Sequence, residues 1–159
     1  MPLWHPALLL GTWFGTGLLP VMPGTWASLL ALPCAWAVCG LCGKVGLAAG
    51  TVIVFAAGCW AAAEMAKASA TKDPSTIVID EVAGQWLVLL GVALDPLSYV
   101  LAFALFRVFD IWKPWPVSWA DRRLTGGLGI MLDDLLAAVY AVLALSVLQA
   151  VGGMIGVRS

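Results

Sequence analysis

At 159 residues, with 62% hydrophobic, 11% charged and a mean hydropathy of +0.99, the chain is long enough for one domain and too apolar for an ordinary soluble one. A net charge of −1, with no basic face or recognition motif, excludes specific nucleic-acid binding. The expected fold is all-α: a single membrane-embedded domain over residues 1–159, built as a small polytopic helical bundle with a re-entrant or broken N-terminal helix and a short helical hairpin.

The opening residues, MPLWHPALLLGTW, have no basic region before their apolar run and no small-residue cleavage site after it, so this segment is expected to stay in the mature protein. Residues 3–18 are apolar but carry Gly11, Gly15 and Gly17, with Pro20 and Pro23 close behind, which favours a short or re-entrant helix over a full span. Residues 25–42 form a first apolar helix whose length comes close to the ~30 Å of a bilayer core. Gly43 and Lys44 make a tight turn, and residues 46–66 give a second span that ends in Glu64, Lys67 and a polar stretch over 69–75. Asp80 and Glu81 open an apolar run to Leu94, Asp95-Pro96 turns the chain, and residues 97–111 follow. Both runs fall short of the ~20 residues a spanning helix needs, so they read as a helical hairpin. Residues 135–151 form the last span.

If the helices alternate, Lys67, Lys72, Lys113, Arg122 and Arg123 share one side and Lys44 and Arg158 the other, which places the first group in the cytoplasm. Trp26, Trp112, Trp115 and Trp119 read as an interfacial belt on that side. Cys39 and Cys42 form a CxxC in apolar helix without a second pair to complete a zinc site. With Cys34 and Cys59 they read as small buried hydrophobes.

Against this background one stretch stands out. Residues 106–134, FRVFDIWKPWPVSWADRRLTGGLGIMLDD, hold four of the nine acids (Asp110, Asp121, Asp133, Asp134) and four of the eight bases (Arg107, Lys113, Arg122, Arg123). Charge is costly beside hydrocarbon, so such a cluster marks a functional site by default. Arg107, Asp110 and Lys113, three apart in turn, share a helical face that Pro114 ends. Asp133-Asp134 is expected to open the last apolar helix after a flexible Gly126-Gly127-Leu128-Gly129. Upstream, DPSTIVIDE places Asp80 and Glu81 at another helix start, their side chains about 100° apart and favoured by the dipole. Gly84, one turn on, leaves room for a neighbouring backbone. The loop GTGLLPVMPGTWAS supplies glycines for close backbone approach, and Thr25 and Ser28 are placed to cap a helix that receives an anion. No Gly-Lys-Ser/Thr follows, so it is not a Walker loop.

Two acidic pairs at two helix starts, joined by Asp110, make the oxygen-rich site that Mg²⁺ prefers, with cations near enough to hold a phosphate. Without a metal the same acids would repel one another. His5, the one histidine, sits between Trp4 and Pro6 and offers no phosphohistidine. No cysteine has an arginine six residues on, and no Asp-x-Asp-x-Thr/Val occurs. Metal-activated water is left as the leading chemistry, an aspartyl nucleophile as the lesser alternative.

The loop GTGLLPVMPGTWASL, the segment IVIDEVAGQW and the run FRVFDIWKPWP followed by GGLGIMLDD resemble the phosphatidylglycerophosphatase A family, in order, from Gly15 to Ala138. The resemblance implies a membrane-bound, Mg²⁺-dependent enzyme of phospholipid biosynthesis that hydrolyses phosphatidylglycerophosphate to phosphatidylglycerol and inorganic phosphate. It implies a multi-pass protein of a bacterial inner membrane with its site facing the cytoplasm. Asp80, Glu81, Asp110, Lys113, Asp121, Asp133 and Asp134 fall on the family's polar motif positions, and Gly15, Gly17, Gly24 and Thr25 match its loop. On this reading Asp80, Glu81, Asp133 and Asp134 hold the metal, Asp110 completes its shell or takes a proton from water, and Arg107, Lys113, Arg122 and Arg123 bind phosphate. Asp121 and the loop residues line the substrate. The rival is a small membrane transporter or channel subunit, which predicts ionisable residues spread through the membrane depth rather than gathered at one interface.

Overall fold

The structure, a computed structural model, describes residue 2 and residues 4–69 and 75–154; Lys72 and Asp73 of the polar stretch and Arg158 of the tail lie outside the described residues. Among the described residues there are six α-helices and no strand. Helix α1 (Pro6–Gly11) begins with proline at its first position and His5 as its cap, the Nδ1 atom accepting from the Ala7 amide at 3.2 Å. It ends where Trp13, Phe14 and Gly15 take positive φ, and a 3₁₀ turn (Thr16–Leu18) follows. The broken N-terminal helix is therefore present. It braces the entry of the next layer: the Val78 amide donates to the Gly11 carbonyl at 2.8 Å, and a Cβ on Gly17 would run into the Thr76 carbonyl.

Helix α2 (Pro23–Ala68) is interrupted at Gly43, whose φ of 66° and ψ of −173° only glycine adopts at little cost. Its two halves, 23–42 and 44–68, correspond to the first two expected spans. Both pack on Trp86 of α3 (Ile79–Leu89): the indole Nε1 donates to the Ala31 carbonyl at 2.9 Å, and its ring lies 3.0 Å from where a Gly50 Cβ would stand. At the kink Lys44 reaches across and donates to the Leu90 and Val92 carbonyls (2.9 and 2.6 Å), satisfying acceptors left over at the C-terminal end of α3. Lys44 thus sits at the opposite end of α3 from Asp80 and Glu81, roughly 16 Å of helix away.

Helix α4 (Pro96–Trp112) starts at an Asp95 cap that accepts from the Ser98 amide and ends at Lys113, held at φ 47°, so the short hairpin is as expected. Helix α5 (Val117–Arg123) lies on the last helix, α6 (Gly126–Met154). Here the expectation needs correcting. Gly126–Gly129 is not a flexible lead-in but the first turn of α6, because Gly127 packs so closely on the Cys59 carbonyl of α2 that no side chain fits. Asp133 and Asp134 consequently lie about two turns inside α6 rather than at its start.

The crossing that sets the site is Gly84. A Cβ there would meet the Phe106 ring of α4 at 2.7 Å and the Asp134 carbonyl of α6 at 3.1 Å, so three helices converge on one glycine. Helices Pro23–Ala68 and Gly126–Gly152 are long and apolar enough to cross a membrane, and apolar residues such as Leu41 (86%) and Val45 (84%) stand exposed on the outside.

Candidate active site

Since α3, α4 and α6 meet at Gly84, the polar residues one turn away on each are forced together. Asp80 and Glu81 precede Gly84 on α3, Asp110 follows Phe106 on α4, and Asp134 is itself at the crossing. The start of α2 closes the fourth side, where a Cβ on Gly24 would fall on the Glu81 Oε1 atom. These elements enclose a cavity of ≈ 410 Å³ lined by Gly24, Thr25, Asp80, Glu81, Arg107, Asp110, Lys113, Asp133 and Asp134, with Met22, Pro23, Ser75, Ile77 and Ile111 at its edges.

Within it the acids divide into two groups. Arg107 is ion-paired with Asp110 and stands 3.9 Å from Glu81. Lys113 donates to Asp121 and Asp133, each at 2.7 Å. Burial opposes the charge on Lys113, but these two hydrogen bonds and carboxylate charges outweigh it and raise its pKa above the ordinary lysine value, so it is a permanent cation here. The remaining three, Asp80, Glu81 and Asp134, bring one oxygen each within 4.8 Å of one another. On the first turn of α3, outside the long apolar spans, Asp80 and Glu81 are both pushed upward in pKa, chiefly by burial. Repulsion from Glu81 adds to the shift of Asp80, and Glu81 rises to about 7.

Such an arrangement is unfavourable for the protein alone and suits a hard cation. Asp80 Oδ1, Glu81 Oε2, Asp133 Oδ1 and Asp134 Oδ2 are buried and accept no hydrogen bond. The donors are all carboxylate oxygens, with no histidine or cysteine among them, which is the set that Mg²⁺ or a similar ion takes. Replacing Gly24 by alanine should drive Glu81 out of this position. We expect activity to fall roughly 10- to 100-fold, the usual range for a displaced supporting group at a metal site, with helix content by circular dichroism unchanged.

Not every residue singled out in the sequence arrives here. Gly15 and Gly17 shape the segment ahead of α2 and do not line the cavity, and Thr25 is on the first turn of α2 rather than at its cap, which is Met22. Asp121 reaches the site through Lys113 and lines a smaller recess of ≈ 30 Å³ beside Asp133. Arg122 and Arg123 line a different cavity altogether. One residue escaped the sequence reading, Gln85, fully buried with neither amide atom hydrogen-bonded; Ser28, expected as a cap, lies inside α2 with its hydroxyl in the same condition. Gln85 is four residues beyond Glu81, so a polar side chain one helical turn from an acid was the available cue.

Comparison with known proteins bears on the same residues. The family described as Phosphatidylglycerophosphatase A matches residues 9–149. A protein of that name from Escherichia coli strain K12 is 36% identical over 146 residues, covering 87% of this chain and 78% of its own length. One from Haemophilus influenzae is 38% identical, covering 91% and 90%. A third relative, from Bacteroides thetaiotaomicron, is 40% identical over 92% of this chain and 95% of its own, and its name assigns it, conjecturally, a phosphatidylinositol-3-phosphatase activity. No solved structure matches the chain. With most of its length matched, acid-bearing helices included, the chain belongs to the phosphatidylglycerophosphatase A family.

Proposed function

We propose that the protein removes the terminal phosphate of phosphatidylglycerophosphate, giving phosphatidylglycerol and inorganic phosphate, with Mg²⁺ at the cytoplasmic face of a bacterial inner membrane. The observation that carries this reading is the convergence of Asp80, Glu81 and Asp134 in one cavity with Arg107 and Lys113. Membership of the family and the names of two relatives support the substrate. Two long apolar helices and their exposed apolar faces support the bilayer setting.

Asp80, Glu81 and Asp134 would hold the ion, which when bound neutralises phosphate charge and makes an attacking water more acidic. Arg107 and Lys113 draw the phosphate oxygens into the cavity and fix their orientation, each already anchored by its own carboxylate. Asp110 accepts the proton of the attacking water. A new P–O bond forms to that water, the ester P–O bond breaks, and the departing glycerol oxygen takes a proton from solvent as Asp110 releases its own to solvent, so one water is consumed overall. The acyl chains remain in the bilayer while the headgroup enters along the surface.

Phosphate release from phosphatidylglycerophosphate in neutral mixed micelles, with Mg²⁺ and with EDTA, tests the reading: release should fall to background on chelation and return with Mg²⁺. Undiminished release in EDTA rejects the metal. Running phosphatidylinositol 3-phosphate in parallel decides between the substrates that the relatives' names carry.

A further inference from the structure

We propose that the cavity between Trp115, Ser118, Trp119, Arg122 and Arg123 is a second lipid site, which takes the phosphodiester headgroup of an anionic phospholipid of the surrounding bilayer. This cavity, ≈ 250 Å³, shares no lining residue with the carboxylate cavity among the described residues. Its ligand chemistry follows from its walls. Two guanidiniums line it, and their forked donors match phosphate oxygens. The two tryptophans are 76% and 49% exposed, a poor arrangement in water and a good one at the level of lipid headgroups, where an indole buries its ring and keeps its N–H wet. Free phosphate would use the arginines and leave the indoles without a role. A lipid uses both.

The platform is rigid. Val117 and Ala120 are buried where α5 packs on α6, Tyr140 of α6 donates to the Trp115 carbonyl at 2.6 Å, and Arg122 Nε donates to the Ser118 carbonyl at 3.1 Å. On a seven-residue helix the 100° step per residue turns Arg122 and Arg123 away from Asp121, which faces Lys113. One short helix thus presents an acid to Lys113 at the carboxylate site and cations to the second cavity. The assignment rests on the chain lying in a membrane, not on its hydrolysing a lipid.

The test is native mass spectrometry of the purified chain in neutral detergent with phosphatidylserine or phosphatidylcholine added. Wild type should retain phosphatidylserine in preference to phosphatidylcholine. The Arg122→Gln/Arg123→Gln variant should retain it roughly thirtyfold less, the loss expected for two basic residues beside an anionic headgroup. Arg122→Lys/Arg123→Lys, which keeps the charge and loses the forks, should fall between and confirms that the surface tolerates change. Millimolar inorganic phosphate should not displace the lipid. Equal retention by wild type and the glutamine variant, no preference between the two lipids, or displacement by phosphate would each overturn the proposal. Phosphate release measured on the same samples separates this question from the proposed activity, since adduct retention without hydrolysis counts against the activity and leaves the lipid site standing.

Discussion

Asp134→Asn should lower phosphate release by on the order of 10²–10³-fold, the scale on which a single preorganised charge at a reacting phosphate acts, without unfolding the protein. Asp134 is 3% exposed, and its Oδ2 atom is buried with no hydrogen-bond donor. It shares a volume with Asp80 and Glu81 in which three carboxylate oxygens lie within 4.8 Å of one another. The like charges destabilise the metal-free protein, so removing one of them should leave thermal stability in EDTA unchanged or raise it. A cation that binds only the folded state stabilises by mass action, so wild type should gain in melting temperature as Mg²⁺ is added, and Asp134→Asn should gain little. Melting curves with and without Mg²⁺ therefore read the metal site independently of turnover. A variant that melts far below wild type in EDTA would mean that Asp134 is a structural residue, and an undiminished Mg²⁺ response would remove it from the ligand set.

The identity of this acid could be read from the sequence, but its place on the helix could not. An Asp-Asp pair ahead of an apolar run looks like a helix start, since acids favour that end and glycines favour loops. The structure instead extends α6 back to Gly126, because Gly127 is needed for contact with the Cys59 carbonyl rather than for a loop. Close helix packing and flexibility both select glycine, and one sequence does not distinguish them. The kink at Gly43 and the hairpin at Asp95-Pro96 were legible because turn chemistry is local. The division of the acids was not local. Which carboxylates meet a cation depends on Lys113 folding back at φ 47° to reach Asp133, twenty residues on in the chain. By sequence alone Asp133 groups with Asp80, Glu81 and Asp134 as a metal ligand. The structure pairs it with Lys113 and leaves Asp80, Glu81 and Asp134 as the compact oxygen set. Arg122 and Arg123 look equivalent to Arg107 by charge alone, and only the fold shows that Arg107 lines the carboxylate cavity while Arg122 and Arg123 line another.

Lys113→Met should cost both stability and turnover, and the two losses should respond differently to a second substitution. Lys113 bridges Asp121 and Asp133, and the Asp133 side chain is only 8% exposed. Removing the cation strands that carboxylate, a change that in a fully buried pair costs about 3–5 kcal/mol. The Lys113 side chain is 31% exposed, so solvent screening brings the expectation down to about 2–3 kcal/mol. Phosphate release should fall about 10²-fold, because a fixed positive charge no longer faces the phosphate. Adding Asp133→Asn takes away the stranded charge and should return stability to within about 1 kcal/mol of wild type, as expected when the two residues act as one unit. Turnover should not return, since nothing has replaced the ammonium at the cavity wall. Denaturation of both variants in detergent micelles, with phosphate release measured on the same samples, checks each half. If the double variant recovered turnover together with stability, Lys113 would be a strut for Asp133 and would have no contact with the substrate.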